Sequence, residues 1–190
     1  MSPVSHVLIG WLAANAARAE RRERLLITVA GIIPDADGLV LVADLAAGHS
    51  TRQLEFWSRY HHVLGHNIGF ALLITAGAAL LTRKRKAVTA LFVWLSFHLH
   101  LLGDLVGSRG PDGNQWPIPY LLPFSDAWQW TWEGQWLLNS WQNLLITVLA
   151  IGITFYLAWK KGYSPLEMIS DRADKGFVAT LRNRFGNPKN

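Results

Sequence analysis

Histidines and aspartates lie inside or beside apolar runs of this sequence, where ionisable side chains are rare. Six of the seven histidines are placed in this way, together with three aspartates. Ionisable groups at membrane depth are costly, and they usually mark a functional site. The chain has no cysteine, so a metal site would have to use nitrogen and oxygen ligands. The residues that we predict to bind metal are His6, Asp35, Asp37, His61, His66, His100 and Asp104.

His100 and Asp104 are four residues apart, so on a helix both side chains lie on one face. This spacing lets them share one ion, or lets Asp104 orient His100 through a hydrogen bond. The alternative is a His–Asp hydrogen bond between packed helices, without metal. His98 points about 200° away from His100 on the same helix. We therefore expect His98 to be packed or hydrogen-bonded rather than a metal ligand.

Asp35 and Asp37 flank one residue in a turn between Pro34 and Gly38. On a non-helical turn both carboxylates can reach one cation, or one of them can bridge two. The alternative is ordinary turn chemistry, in which the aspartates cap neighbouring backbone groups. We also assign Asp37 a catalytic role, as a bridge or as a base towards a nucleophilic water.

His61 and His66 are five residues apart, across the predicted start of a helix. Gly65 leaves room for the backbone beside a ligand. We predict His61 and His66 as ligands and leave His62 open. The alternative is a histidine cluster at the membrane interface that only responds to pH.

The composition indicates which elements must position these residues. Of 190 residues, 51% are hydrophobic and only 16% are charged. A hydrocarbon core of about 30 Å needs a helix of about 20 apolar residues, and the last three apolar segments meet or approach that length. The first segment is short, and Pro34 breaks the second. We predict an all-α, polytopic integral membrane bundle with five apolar segments, at 4–17, 25–47, 66–82, 87–107 and 141–159.

The positive charges are distributed unevenly between the connections. Fifteen of the 18 lysines and arginines follow the first, third or fifth segment, and only Arg52, Arg59 and Arg109 lie in the alternate connections. The positive-inside rule then places the C-terminus in the cytoplasm and the N-terminus outside, after five crossings. Every candidate ligand falls in the middle or the outer half of the membrane. Because topology explains the charge bias, we do not predict a nucleic-acid partner.

The C-terminal part has a different pattern. Ser164 and Pro165 suit a helix start, and apolar residues then recur every three or four positions among basic ones up to Phe185. This pattern is typical of an amphipathic helix on the inner membrane surface, and a docked terminal helix is the alternative. We divide the chain into a membrane-embedded metal-site domain (1–162) and a basic cytoplasmic tail (163–190).

Six tryptophans cluster in the long loop at 108–140 and at its re-entry into the membrane. Such residues are typical of headgroup depth. The alternation of tryptophans over Trp128–Trp132 predicts a short strand or extended segment.

The order of these motifs resembles a known family. An early His6, then Pro34-Asp35-Ala36-Asp37, then His61 with His66, then His100 with Asp104, is similar to the bacterial membrane-bound metal-dependent hydrolases. The resemblance covers about residues 5–160 and includes the loop Trp116–Ser125. The family usually has His-Arg where this chain has His61-His62, and often Thr where it has Gly65. More distantly, the ordered ligands are similar to those of zinc-dependent phospholipase C and single-strand nucleases, which implies phosphoester chemistry at a multinuclear site.

We therefore expect a bacterial inner-membrane hydrolase that acts at the outer, periplasmic face on a lipid or lipid-linked phosphoester. The expected cofactor is a divalent metal, zinc first and manganese second. Asp37 and Asp104 are the predicted catalytic residues, and the expected partners are membrane lipid and a small-molecule or lipid substrate.

Two other functions fit some of these residues. A metal or proton transporter would need polar groups through the inner half, where Thr75, Thr89 and Ser96 are the main ones. Haem ligation by two histidines, such as His66 and His100, leaves the surplus aspartates unexplained.

Overall fold

The protein is described by a computed structural model that covers residues 1–48, 62–110 and 113–188. Those residues contain seven α-helices and two 3₁₀ helices, which confirms the all-α prediction. The α-helices are α1 (Pro3–Ala16), α2 (Arg21–Ala30), α3 (Val40–Ala46), α4 (Ile68–Leu81), α5 (Lys86–Gly107), α6 (Trp141–Lys161) and α7 (Asp171–Phe185). The 3₁₀ helices are Ile33–Leu39 and Pro165–Met168.

Two of these helices are long and apolar enough to cross a membrane. They are α5, with 22 residues, and α6, with 21. Helix α2 and the segment Ile33–Ala46 form a pair bent by 52°, which gives a third candidate span, whereas α4 is a shorter apolar helix. The polytopic membrane bundle is therefore confirmed, and the second segment is bent as predicted.

The bend follows from local chemistry at Pro34. Helix α2 ends at Ala30, and Gly31 caps it in a helical conformation. Proline has no backbone N–H and restricts the residue before it, so a regular α-helix does not continue through this point. The chain forms a 3₁₀ helix instead, and this turn carries Asp35 and Asp37. A broken helix at membrane depth is tolerated where it is packed against protein.

The bundle is built on close contact between α1, α2 and α5, with α4 packed on α5 and α6 packed on α1. Gly10 permits the close approach of the first three helices. A Cβ atom there would lie 3.0 Å from the Thr28 carbonyl oxygen and 3.1 Å from Ser96 Oγ. Small residues at helix crossings are a common feature of membrane bundles. Beyond this crossing lies an apolar cluster formed by Ala14, Ala17, Ala19, Ile27, Ala30, Ala78 and Val93.

One end of the bundle collects the basic connections, and we call it the tail end. Arg85 donates to the Arg18 carbonyl at 2.9 Å, which links the start of α5 to the end of α1. Arg24 on α2 forms a buried, two-point ion pair with Glu167, at 2.6 and 2.7 Å. The predicted ligand-bearing segments lie at the opposite end, which we call the site end.

The loop between α5 and α6 is tied to the site end. The Trp136 backbone N–H donates to the Val106 carbonyl at 2.9 Å, and the Asn143 side chain donates to the Gly107 carbonyl at 2.8 Å. Within the loop, Ile118 and Trp130 form an antiparallel bridge. The predicted extended segment around Trp130 is therefore confirmed.

The tail differs in one detail from the prediction. Ser164 does cap a helical turn, because its Oγ accepts from the Leu166 N–H at 3.2 Å, but that turn is the short 3₁₀ helix. The amphipathic helix α7 begins later, at Asp171. The carboxylate of Asp174 accepts from both Ser164 N–H and Ser164 Oγ at 2.6 Å, which holds the two pieces together. Phe177 of α7 packs edge-on against Phe155 of α6.

Candidate metal centre

Four of the predicted ligands converge at the site end. Asp35, His66, His100 and Asp104 each offer one ligand atom, and these atoms all lie within 4.8 Å of one another. The 3₁₀ helix supplies Asp35, the segment before α4 supplies His66, and α5 supplies the other two. Three of the four residues are buried, and the Asp35 side chain is 20% exposed.

His100 is fixed in one tautomer by its neighbours. Its Nδ1 lies 2.9 Å from the Gly31 carbonyl oxygen. Because a carbonyl can only accept, Nδ1 carries the hydrogen, and in the neutral ring Nε2 keeps its lone pair. That Nε2 atom lies 3.0 Å from Asp104 Oδ2, one helical turn further along α5. His100 therefore directs Nε2 into the cluster, and in the neutral ring this nitrogen can bind a metal ion.

His66 is held in the same way by a carboxylate. Its Nδ1 lies 2.9 Å from Asp37 Oδ2. Its Nε2 lies 3.3 Å from Asp104 Oδ2 and 3.1 Å from His100 Nε2. With both Nδ1 atoms engaged in hydrogen bonds, the two Nε2 atoms face each other and the Asp104 carboxylate. A cation between them, either a metal ion or a proton, is needed to make this arrangement favourable.

These separations fit a shared divalent ion. Nitrogen and oxygen ligands bind zinc at about 2.0–2.1 Å, so two ligands of one ion lie about 3.0–3.4 Å apart. The His100 Nε2 atom lies 3.6 Å from Asp35 Oδ1. Within the described residues, Asp35 Oδ2 is buried and has no hydrogen-bond partner. A buried carboxylate oxygen without a donor is costly, and a cation would satisfy it. Two imidazoles and two carboxylates suit zinc and manganese alike.

His6 lies on the other side of Asp104. Its Nε2 is 3.1 Å from Asp104 Oδ1, and its ring centroid lies 3.8 Å from that of His100. The Met1 α-amino group also contacts this oxygen, and Ser108 Oγ donates to it at 2.7 Å. Asp104 is thus the central carboxylate, with donors or candidate ligands on both oxygens. Ser108 was not predicted from the sequence, although its position four residues after Asp104 indicates that both lie on one helix face.

The remaining predicted residues occupy different positions. Asp37 lies behind His66, where its Oδ2 also accepts from the Gly65 N–H at 3.4 Å. Its roles as a ligand, bridge or base stay predictions. His61 lies outside the described residues. His62 adopts a positive φ of 63° and stacks on His66, with ring centroids 4.3 Å apart.

A small cavity of about 290 Å³ lies beside the cluster. Its wall includes Asp35 and Asp104 of the cluster. Trp116, which was predicted to lie at headgroup depth, also lines this cavity. Its ring meets the His62 ring in an edge-to-face arrangement, with ring centroids 4.9 Å apart. The other lining residues in the described part of the chain are Met1, Pro3, Gly38, His62, Ser108 and Leu138.

His98 is hydrogen-bonded, as predicted. Its Nδ1 lies 2.8 Å from the Trp94 carbonyl, and its Nε2 lies 2.8 Å from the Tyr120 hydroxyl. The first contact lies within α5, and the second joins α5 to the loop between α5 and α6.

Comparison with known families gives one match. A family model described as the YdjM inner membrane protein matches residues 1–177, which is most of the chain and includes every predicted ligand. This match confirms the resemblance found in the sequence. No curated protein and no solved structure matches the chain.

Proposed function

Because the chain belongs to the YdjM inner membrane protein family, a family of membrane-bound metal-dependent hydrolases, we propose that it hydrolyses its substrate with a divalent metal ion bound in the His/Asp cluster. One observation carries the proposal. The Nε2 atoms of His66 and His100 converge with the carboxylates of Asp35 and Asp104, at one end of an apolar bundle. Buried groups of this kind require a cation between them.

Some residues of the site would bind the metal ion, and others orient those ligands. Asp35, His66, His100 and Asp104 would hold the ion, with His6 beside them on Asp104. A divalent ion bound there would lower the pKa of a water molecule and polarise the substrate oxygen.

Two further groups fix the imidazole rings. The Asp37 carboxylate orients His66, and the Gly31 carbonyl orients His100. Asp35 and Asp104 line the cavity, so they are the carboxylates placed to accept a proton from the attacking water.

The substrate class follows from location. If the basic tail end is cytoplasmic, the site end opens at the outer face of the inner membrane. A lipid or lipid-linked phosphoester would reach such a site from the bilayer. We propose zinc as the resident ion and manganese as the second candidate.

Transport of metal ions or protons is supported less well. A transport path would have to continue from the site end to the tail end. The bundle between the two is filled by the apolar cluster around Ala14, Ile27 and Val93. Proteoliposomes containing the protein should therefore not accumulate zinc or manganese, and uptake above that of empty vesicles would contradict the hydrolase proposal.

The direct test is hydrolysis of a panel of membrane phospholipids by purified protein. We expect activity in the wild type and a loss of about a hundredfold or more in Asp104→Ala, because this carboxylate contacts His6, His66 and His100. His98→Ala is the matched control, since it removes a histidine from the same helix that does not face the cluster. Full activity in Asp104→Ala would overturn the assignment.

A further inference from the structure

A second, larger depression lies beside the candidate metal centre, between the start of α4 and the loop that follows α5. It is an apolar groove of about 630 Å³, within the range of about 300–1,000 Å³ typical of ligand pockets. The groove is lined by Val63, Leu64, Asn67, Gly69, Phe70, Leu72, Leu73, Leu122, Pro123 and Phe124.

The lining offers little to a polar ligand. Asn67 carries its only polar side chain among the described residues, and that side chain is already engaged. Its amide nitrogen donates to the carbonyls of Val63 and Leu64 at 2.8 and 3.0 Å, and its oxygen accepts from the Phe70 N–H at 2.9 Å. A sugar or a free phosphate would find no partner there, whereas a hydrocarbon chain needs none.

The groove adjoins the metal centre through one short segment. His62 lines the small cavity, and the next two residues, Val63 and Leu64, line the groove. His66 offers its ring to the cluster, and Asn67 forms part of the groove wall. The same segment therefore shapes both spaces, and a chain in the groove would end close to the cavity.

On its other side the groove is continuous with the surface that the bundle presents to lipid. Leu64, Leu73 and Phe124 are 53%, 66% and 73% exposed. Leu80, two turns beyond Leu73 on the same face of α4, is 82% exposed and lies outside the groove. In a membrane-embedded bundle such a face contacts acyl chains, so a lipid can enter the groove sideways from the bilayer.

From these contacts we infer that the groove binds a long hydrocarbon chain of the substrate and that the phosphoester of the same lipid lies in the cavity. This inference rests on the proposed hydrolase function. The cavity, at about 290 Å³, has room for the reacting end of a lipid and the groove for the chain. The substrate class is therefore a membrane lipid recognised mainly by its chain.

The test compares Leu73→Trp, which fills the groove, with Leu80→Trp, which adds the same bulk on the same helix face outside it. Retention of dipalmitoyl phosphatidylglycerol is measured by native mass spectrometry on metal-free protein in detergent. We expect one lipid retained by wild type and by Leu80→Trp, and at least tenfold weaker retention by Leu73→Trp. Equal retention in both variants would overturn the inference, because the groove would then be ordinary lipid-facing surface.

A hydrolysis assay separates this inference from the proposed function. With metal added, Leu73→Trp should lose hydrolysis of the dipalmitoyl lipid but keep that of the dihexanoyl lipid, which needs no groove. If both tryptophan variants hydrolyse the long-chain lipid as wild type does, while Asp104→Ala does not, the hydrolase stands and the groove inference fails. If Leu73→Trp alone loses retention and no protein hydrolyses either lipid, the groove stands and the proposed function fails.

Discussion

At the scale of single residues, the site is defined by which nitrogen of each imidazole ring faces the cluster. The Gly31 carbonyl and the Asp37 carboxylate each engage an Nδ1 atom, so His100 and His66 present Nε2 to the same point. These supporting groups lie on the 3₁₀ helix or just before it. The bend at Pro34 thus contributes both a candidate ligand, Asp35, and the groups that orient the other ligands.

A first prediction concerns Asp37. In Asp37→Asn the carboxylate that fixes the His66 ring is replaced by an amide. Loss of such a support typically weakens metal affinity about 10- to 100-fold. Competition with a chromogenic chelator measures this change, and Asp126→Asn, at an exposed loop position, is the control. Unchanged affinity in Asp37→Asn would show that Asp37 does not position His66.

The sequence predicts part of the arrangement of these side chains. His100 and Asp104 share a helix, so their spacing alone places them together. The apposition of His66 with His100 depends on how α4 packs against α5, which sequence spacing does not encode. The Gly31 carbonyl was not predicted, since a backbone carbonyl has no sequence signature. Ser108 was also not predicted, although its spacing from Asp104 was an available signal.

At the scale of elements, the segment before α4 must approach the 3₁₀ helix closely. A Cβ atom on Gly65 would lie only 2.4 Å from the Pro34 carbonyl oxygen. This contact explains why a glycine precedes His66. The sequence indicated that glycine gives room beside a ligand, but the partner, the backbone at Pro34, became apparent only in the fold.

Gly65→Ala should therefore displace the segment that carries His66. We expect a loss of about 1–3 kcal/mol in stability, as for overpacked sites, together with reduced metal content. Gly77→Ala is the matched control, because among the described residues no atom beyond its chain neighbours and its own helix backbone lies within 4 Å of the added Cβ atom. In a helix that change favours folding by about 0.5–1 kcal/mol. Thermal unfolding in detergent measures the stability of both variants. Equal unfolding midpoints for the two variants would contradict the proposed contact.

At the scale of the whole molecule, the charged groups separate into two ends. The His/Asp cluster lies at the site end, and the tail end is held by the buried Arg24–Glu167 pair. Charge bias and hydropathy predicted this separation, because both are properties of whole segments. The start of α7 was predicted less accurately. It depends on a contact specific to the fold, in which Asp174 accepts a hydrogen bond from the Ser164 N–H.

The tail-end pair should stabilise the bundle without affecting the metal centre. Breaking a buried ion pair leaves an uncompensated charge and costs about 3–5 kcal/mol, so Glu167→Gln should lower the unfolding midpoint and leave metal content unchanged. Asp171→Asn breaks the exposed ion pair with Arg21. This change should lower the free energy of unfolding by only about 0–1 kcal/mol. Loss of metal from folded Glu167→Gln would contradict the separation of the two ends.

Orientation in the membrane can be tested at the C-terminus. Because the basic connections meet at the tail end, we expect that end in the cytoplasm. Green fluorescent protein fused after Asn190 should fluoresce, and alkaline phosphatase at the same place should be inactive. The reverse pattern would place the site end in the cytoplasm, and the substrate would then have to be sought on that side.

The central claim is that the His/Asp cluster binds a divalent metal ion. The most direct measurement is elemental mass spectrometry of detergent-purified wild type and the His100→Ala/Asp104→Ala double variant, before and after metal reconstitution. We expect stoichiometric zinc or manganese in the wild type and loss of that metal in the double variant, with both proteins folded. No metal in the wild type, even after reconstitution, would contradict it and leave a proton-sharing His–Asp network in its place.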